Sequence, residues 1–152
     1  MSKNKNPRLN SAGYPDPVAF KAIGRVIRQE NEERRKSKQK SVPKVYICSP
    51  FRGDTEKNTA NILRYCRFAV EQGYFPIAPH AYLPRFMDDD NPSERELALS
   101  FGIRLLGGCK ELWIFGGEIT EGMKREIIAA EKCGIKVIKF FNENLQEVTN
   151  AT

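Results

Sequence analysis

From residue 43 onward the chain alternates between two patterns. Short apolar runs rich in β-branched and aromatic residues read as buried strands: "KVYICS" (44–49), "YFPIAP" (74–79), "ELWIFG" (111–116) and "IKVIKFF" (135–141). The longer stretches between them repeat their apolar residues at helical spacing. "DTEKNTANILRYCRFAVEQG" sets Ile62, Leu63, Cys66, Ala69 and Val70 on one stripe and stops at Gly73. "SERE" offers a capping box, Ser93 with Glu96, opening a helix that runs to about Leu106. "TEGMKREIIAAEKCG" takes Thr120 as its N-cap and Gly134 as its stop. Pro76 removes a ladder donor from the second strand and predicts an edge position. This strand–helix alternation predicts a doubly wound, Rossmann-like α/β three-layer sandwich. Its sheet should be mainly parallel, with about four to five strands and right-handed crossovers.

The flanks follow other rules. Residues 1–15 are polar and rich in Asn, Lys and Pro, which predicts a loose terminus. "DPVAFKAIGRVIRQENEERRK" predicts a helix starting at Asp16, with Pro17 in its first position. Val18, Ile23, Val26 and Ile27 give it a weak apolar stripe that can pack on the core or on a partner subunit. Beyond Arg28 it becomes wholly charged, and "SVP" (41–43) ends it. The expected organisation is a polar, basic extension (1–42), an α/β domain (43–142) and a flexible polar tail (143–152).

Composition narrows the functional classes. The 152 residues, 40% hydrophobic, suit one domain with appendages. No stretch approaches the roughly 18 apolar residues of a membrane span, and the start lacks the apolar core of a signal peptide. A cytoplasmic protein without membrane contact is therefore expected. Cys48, Cys66, Cys109 and Cys133 form no C-x-x-C pair, so buried reduced thiols are expected before a disulfide or a zinc site. The net charge of +6 is concentrated in "RRKSKQK" (34–40) and "KNKNPR". No recognition helix, zinc finger or aromatic–basic platform accompanies it, so a solvated segment is expected before a nucleic-acid arm. No metal or redox cofactor is indicated. "DDD" (88–90) reads as a solvated loop before a cation site, and Trp113 and Phe115 read as core.

In doubly wound sheets ligands bind beyond the carboxyl ends of the strands, at the switch point. That rule selects residues 49–58, 79–91, 116–122, which opens on Gly116, and the segment after Phe141. In "SPFRGD" Ser49 offers a hydroxyl and Arg52 a forked cation, Gly53 permits a positive φ, and a helix N-terminus follows. The segment reads either as an anion site or as a plain strand-to-helix turn. In "GGEITEGMKREIIAA" Met123, Ile127 and Ala130 share a core stripe. Glu126 lies about 60° to one side of Met123. Its side chain leans back over Gly122, which has nothing to cover it. Glu126 is thus either a carboxylate open to a ring or one more surface acid. His80, the single histidine, stands past the second strand, as a substrate partner, a proton donor or polar surface.

Taken together, "VYICSPFRGD", "RYCRFAVEQGYFPIAPH", "ERELALSFGIRLLGGCKELWIFG" and "ITEGMKREIIAAEKCGIKV" resemble the nucleoside 2-deoxyribosyltransferase-like superfamily. The resemblance is nearest to its small bacterial and phage members of unknown function, and covers about residues 44–141. It implies that Ser49, Pro50, Arg52 and Gly53 form the loop that receives the sugar or its 5′-phosphate. It also implies that Gly122 and Glu126 match the G-x-x-x-E pattern that carries the nucleophile. The implied activity is N-glycosidase or deoxyribosyltransferase chemistry with retention, on a nucleoside or nucleotide, without a cofactor and in a homo-oligomer. The superfamily's aspartate that protonates the leaving base has no counterpart in "LSFGIRLL". A non-catalytic nucleotide-binding module of the same fold is the alternative.

Overall fold

The structure, a computed structural model, describes Gly13 and residues 16–38 and 41–149. Apart from Gly13, the loose start expected before Asp16 lies outside the described residues. The chain divides after Ser41 into two units. In the first, helix α1 (Pro17–Lys38) begins behind Asp16, whose Oδ1 accepts from the Val18 and Ala19 amides at 2.9 and 3.1 Å. Val18, Phe20, Val26 and Ile27 are exposed on it.

In the second unit the described residues run β1 (Lys44–Cys48), α2 (Thr55–Glu71), β2 (Phe75–Ile77), α3 (Pro92–Leu106), β3 (Glu111–Phe115), α4 (Glu121–Lys132), β4 (Val137–Phe141) and β5 (Glu147–Val148). They form one sheet in the order β2-β1-β3-β4-β5, parallel throughout except for the antiparallel β5. This is the doubly wound, Rossmann-like fold that the alternation predicts. Pro76 sits on the edge strand, as its missing donor requires.

Four local expectations change. The second strand stops at Ile77 because Pro79 opens a 3₁₀ turn (Pro79–Ala81), and a second turn follows at Leu83–Arg85. Helix α3 is capped by Asn91, whose Oδ1 accepts from the Ser93 and Glu94 amides at 3.0 and 3.3 Å. Pro92 then takes the first helical position, so the Ser93–Glu96 capping box does not form, and Glu96 pairs with Arg125 instead. The polar end expected to fray turns back as β5. Asn142 Oδ1 accepts from the Asn144 and Gln146 amides, both at 3.0 Å, and closes the turn. Among the four free thiols, Cys133 is exposed at the end of α4 rather than buried.

Strand alternation builds the two faces. Val45, Ile47, Trp113 and Phe115 point toward α2, where Tyr65, Phe115 and Phe141 stack in a column with ring centroids 4.2 and 4.9 Å apart. Tyr46, Cys48, Leu112 and Ile114 point the other way, against Leu106 of α3 and Met123, Ala129 and Ala130 of α4. All five residues of β3 are buried, as a central parallel strand covered on both faces must be. The chain leaves β1 toward β2 on one side and returns to β3 on the other. The loops after β1 and β3 therefore part at the switch point.

Candidate functional site

The loop after β1 is held from both ends. Ser49 is buried at its root, and Asp54 caps α2 by accepting from the Lys57 amide at 3.1 Å. Between them Asn58 donates through Nδ2 to the carbonyls of Phe51 and Arg52, at 2.9 and 3.1 Å. Gly53 turns the chain at φ 99°, a value that strains any side chain. Across the switch point Gly116 (φ 93°) lies against Pro50: a Cβ there would stand 2.9 Å from Pro50 Cδ. Pro50 and Gly116 thus pack one loop against the other, and neither is among the residues that line the cavity beside them.

The loop after β1, the connection after β2 and the N-terminal turns of α3 and α4 line a cavity of about 270 Å³. Ser49, Arg52, His80 and Gly122 line it, with Phe51, Leu83, Met87, Leu99 and Met123 supplying apolar wall. His80 stacks on Phe51, with centroids 5.3 Å apart and planes 7° apart. Gly122 leaves its stretch of wall open, since an added Cβ would meet only Thr120 Oγ1, at 4.0 Å.

Glu126 lies deeper than the helical stripe suggests. Its residue is only 3% exposed, and it stands behind the cavity wall. Oε1 accepts from the Tyr46 hydroxyl at 2.7 Å and lies 3.5 Å from His80 Nε2. Oε2 is buried and has no partner, and the buried Ser49 Oγ also has none. An unpaired buried carboxylate oxygen is destabilising by about 1–3 kcal/mol or more, so two orphaned oxygens at the switch point call for an explanation beyond packing.

Tyr46 reaches this carboxylate because β1 is central and its alternate residues face α3 and α4. Burial, with the Glu126 charge adding to it, holds the phenol well above its usual value, so it remains a donor at neutral pH. The Cys48 thiol is raised by burial first, then by the Glu126 charge and a weak thiol contact with that carboxylate, which makes it an inert neighbour rather than a nucleophile. Helix α3 passes so close that a Cβ on Gly102 would stand 2.8 Å from the Tyr46 hydroxyl and 3.8 Å from Glu126 Oε1.

Arg52 lines the cavity, but its fork is engaged. Nε donates to Asp89 Oδ2 at 2.9 Å and Nη2 to the Asp89 carbonyl at 3.3 Å, with Asp90 Oδ1 at 3.7 Å. The run read as a solvated acidic loop therefore closes one side of the cleft. The structure brings Ser49, Arg52, His80, Gly122 and Glu126 to one place. Tyr46, Gly102 and Phe51 join them without having been singled out, and Asp89 joins them from the run read as a solvated loop. Two of these carried a signal: a tyrosine in an inner aliphatic strand needs a hydroxyl partner, and a glycine inside a helix marks a close approach.

Comparison with known proteins matches residues 43–140 to the family described as Domain of unknown function (DUF7768). Curated protein sequences give no match. One similar solved structure is the 2-deoxyribosyltransferase of the psychrotolerant bacterium Bacillus psychrosaccharolyticus. It aligns with a TM-score of 0.54 and 16% identity over 70% of this chain and 77% of that one. At that identity the likeness concerns the fold.

Proposed function

Since the chain belongs to the DUF7768 family and has the fold of a 2-deoxyribosyltransferase, we propose that its cleft binds a nucleoside-like molecule and breaks the N-glycosidic bond through Glu126. One observation carries this reading. A carboxylate buried to 3% exposure has one oxygen fixed by Tyr46 and the other without a hydrogen-bond partner, beside His80 of the cavity wall. A nucleophilic carboxylate needs this division: one oxygen held in position, the other available to attack.

In the proposed reaction Oε2 attacks the anomeric carbon and the bond to the base breaks. The base leaves with the bonding pair and takes a proton, a role we assign to His80, which lines the cavity with Nε2 3.5 Å from Glu126 Oε1. The glycosyl ester on Glu126 is then opened by water or by a second base. Two inversions give net retention. Ser49 would take a sugar hydroxyl, and the apolar wall of Leu83, Met87 and Leu99 would take the base. A binding module without turnover is the second reading. It is favoured by the depth of Glu126 and by the absence of a second carboxylate among the hydrogen-bond partners of the described residues around it.

The test is a panel of ribo- and deoxyribonucleosides with wild type and Glu126→Ala, reading released base and thermal shift. Base release that disappears in the variant supports the glycosidic reading. Stabilisation without release, equal in both proteins, would replace it with the binding module.

A further inference from the structure

Around the cleft, several features that would attract a phosphate are already answered from within the chain. Three helix N-termini point toward this end of the sheet, and each is capped: α2 by Asp54, α3 by Asn91 and α4 by Thr120. Each also carries an acid in its first turn: Glu56, Glu94 and Glu121. A phosphate normally uses the free amides and positive end of such a helix. The forked cation on the wall, Arg52, is held by the Asp89 side chain and carbonyl. The remaining lining charge has the wrong sign for an anion, with Asp88, Asp89, Glu94 and Glu121 set against Arg52 and Arg95. Of the two unpartnered buried oxygens among the described residues, the Glu126 carboxylate oxygen suits a donor such as a sugar hydroxyl and not a phosphate oxygen, while the Ser49 hydroxyl can serve either.

Resting on the nucleoside reading above, we infer that Asp89 is a specificity-determining residue that makes the cleft accept an uncharged nucleoside and reject its 5′-phosphate. Its carboxylate does two things. It pairs with Arg52, the guanidinium of the loop after β1, and it adds to the negative field that a dianion would have to enter. Like charges brought together at a binding surface discriminate strongly between otherwise identical ligands.

The experiment compares wild type, Asp89→Ala, Asp89→Asn and the Arg52→Ala/Asp89→Ala double variant. The first arm uses inorganic phosphate alone and reads thermal stabilisation. Wild type should show none at millimolar phosphate, Asp89→Ala and Asp89→Asn should gain a saturable shift, and the double variant should lose it. The second arm measures the affinity of one nucleoside against its 5′-monophosphate. Wild type should favour the nucleoside by about tenfold or more, and Asp89→Ala should lower that ratio by about tenfold, more so at low salt. Wild-type preference for the monophosphate, or an unchanged ratio in Asp89→Ala, would overturn the inference while leaving the nucleoside reading intact. If no nucleoside binds any of the proteins, that reading fails. The phosphate arm then decides the role of Asp89 alone: a gain in the single variants upholds it as the guard of Arg52, and no gain refutes it.

Discussion

Among the described residues two glutamates are buried, Glu111 in β3 and Glu126 in α4, toward opposite ends of the sheet's strands, and their surroundings differ in kind. Glu111, at the amino end of β3, is 7% exposed and fully answered: Tyr74 Oη donates to one oxygen at 2.8 Å and Trp113 Nε1 to the other at 2.7 Å. Glu126, at the carboxyl ends of the strands, is 3% exposed and half answered, with Tyr46 on one oxygen and nothing on the other. Burial alone therefore does not mark a site. A satisfied buried carboxylate ties two elements together, as Glu111 ties β3 to Tyr74 just before β2. A half-satisfied one retains bonding capacity, and here it lies beside a cavity. The same chemistry serves structure at one end of the sheet and, by our proposal, reactivity at the other.

Breaking the two carboxylates should give opposite results. We expect Glu126→Ala to lower any glycosidic turnover by about a thousandfold or more. Its loss of stability should be smaller than that of Glu111→Ala, because removing an oxygen without a partner offsets the loss of the Tyr46 hydroxyl's acceptor. Turnover that persists in a folded Glu126→Ala would show that the comparison assigns the wrong carboxylate. Glu111→Ala should do the reverse. It strips Trp113 Nε1 of its acceptor and leaves a void, a loss of about 2–4 kcal/mol in urea unfolding, with ligand response retained. A Glu111→Ala protein as stable as wild type would remove the structural half of the contrast.

Gly102→Ala sharpens the comparison without touching either acid. The added methyl falls 2.8 Å from the Tyr46 hydroxyl, so tyrosine or helix must shift. A stability loss of about 1–3 kcal/mol is expected, with a fall in kcat larger than any change in KM. Full activity would show that the Tyr46–Glu126 bond is dispensable.

The next effect is a pH dependence. The folded-state values of Tyr46 and Cys48 lie above their ordinary 10.0 and 9.0, so the folded protein holds protons that the unfolded chain releases. Stability from these neutral groups is fully present below those values and is lost as pH rises through and beyond them. Tyr74 is also raised, by its bond to Glu111 first and by burial second, but it lies nearer the surface and should contribute less. Urea unfolding followed from about pH 8 to about pH 11 should therefore fall more gently in Tyr46→Phe than in Tyr74→Phe. Parallel curves for the two variants would contradict the difference in depth.

The smallest effect belongs to the fork between Arg125 and Glu96, which links α4 to α3 at 2.8 and 3.1 Å. Both side chains are exposed, so Glu96→Gln should shift the melting temperature only slightly, and not at all in high salt. A salt-resistant drop would mean that this surface pair helps position α4 and its glutamate.

Much of this architecture was legible along the chain because its causes are short-ranged. A run such as "ELWIF" between polar residues has one stable place, inside a sheet covered on both faces. Asp54 and Thr120 cap the helices that follow them, Gly53 turns where its φ demands, and Pro76 goes to an edge. The approximate location of the site followed from the switch point of the alternation. Where local signals competed, pattern reading chose wrongly: Asn91-Pro92 outranked Ser93 as the start of α3, and Asn142 built a turn for β5 out of a polar tail.

The chemistry of the site could not be reached that way. Tyr46 and Glu126 are 80 residues apart, and Arg52 and Asp89 are 37 apart. Their meeting depends on the register of β1 against β3 and on how closely α3 can approach past Gly102. Hydrogen-bond partners, burial of a carboxylate and neutralisation of a guanidinium are properties of assembled surfaces. Periodicity assigns a side chain to a face of its own element, while the packing of one element on another decides what that face meets.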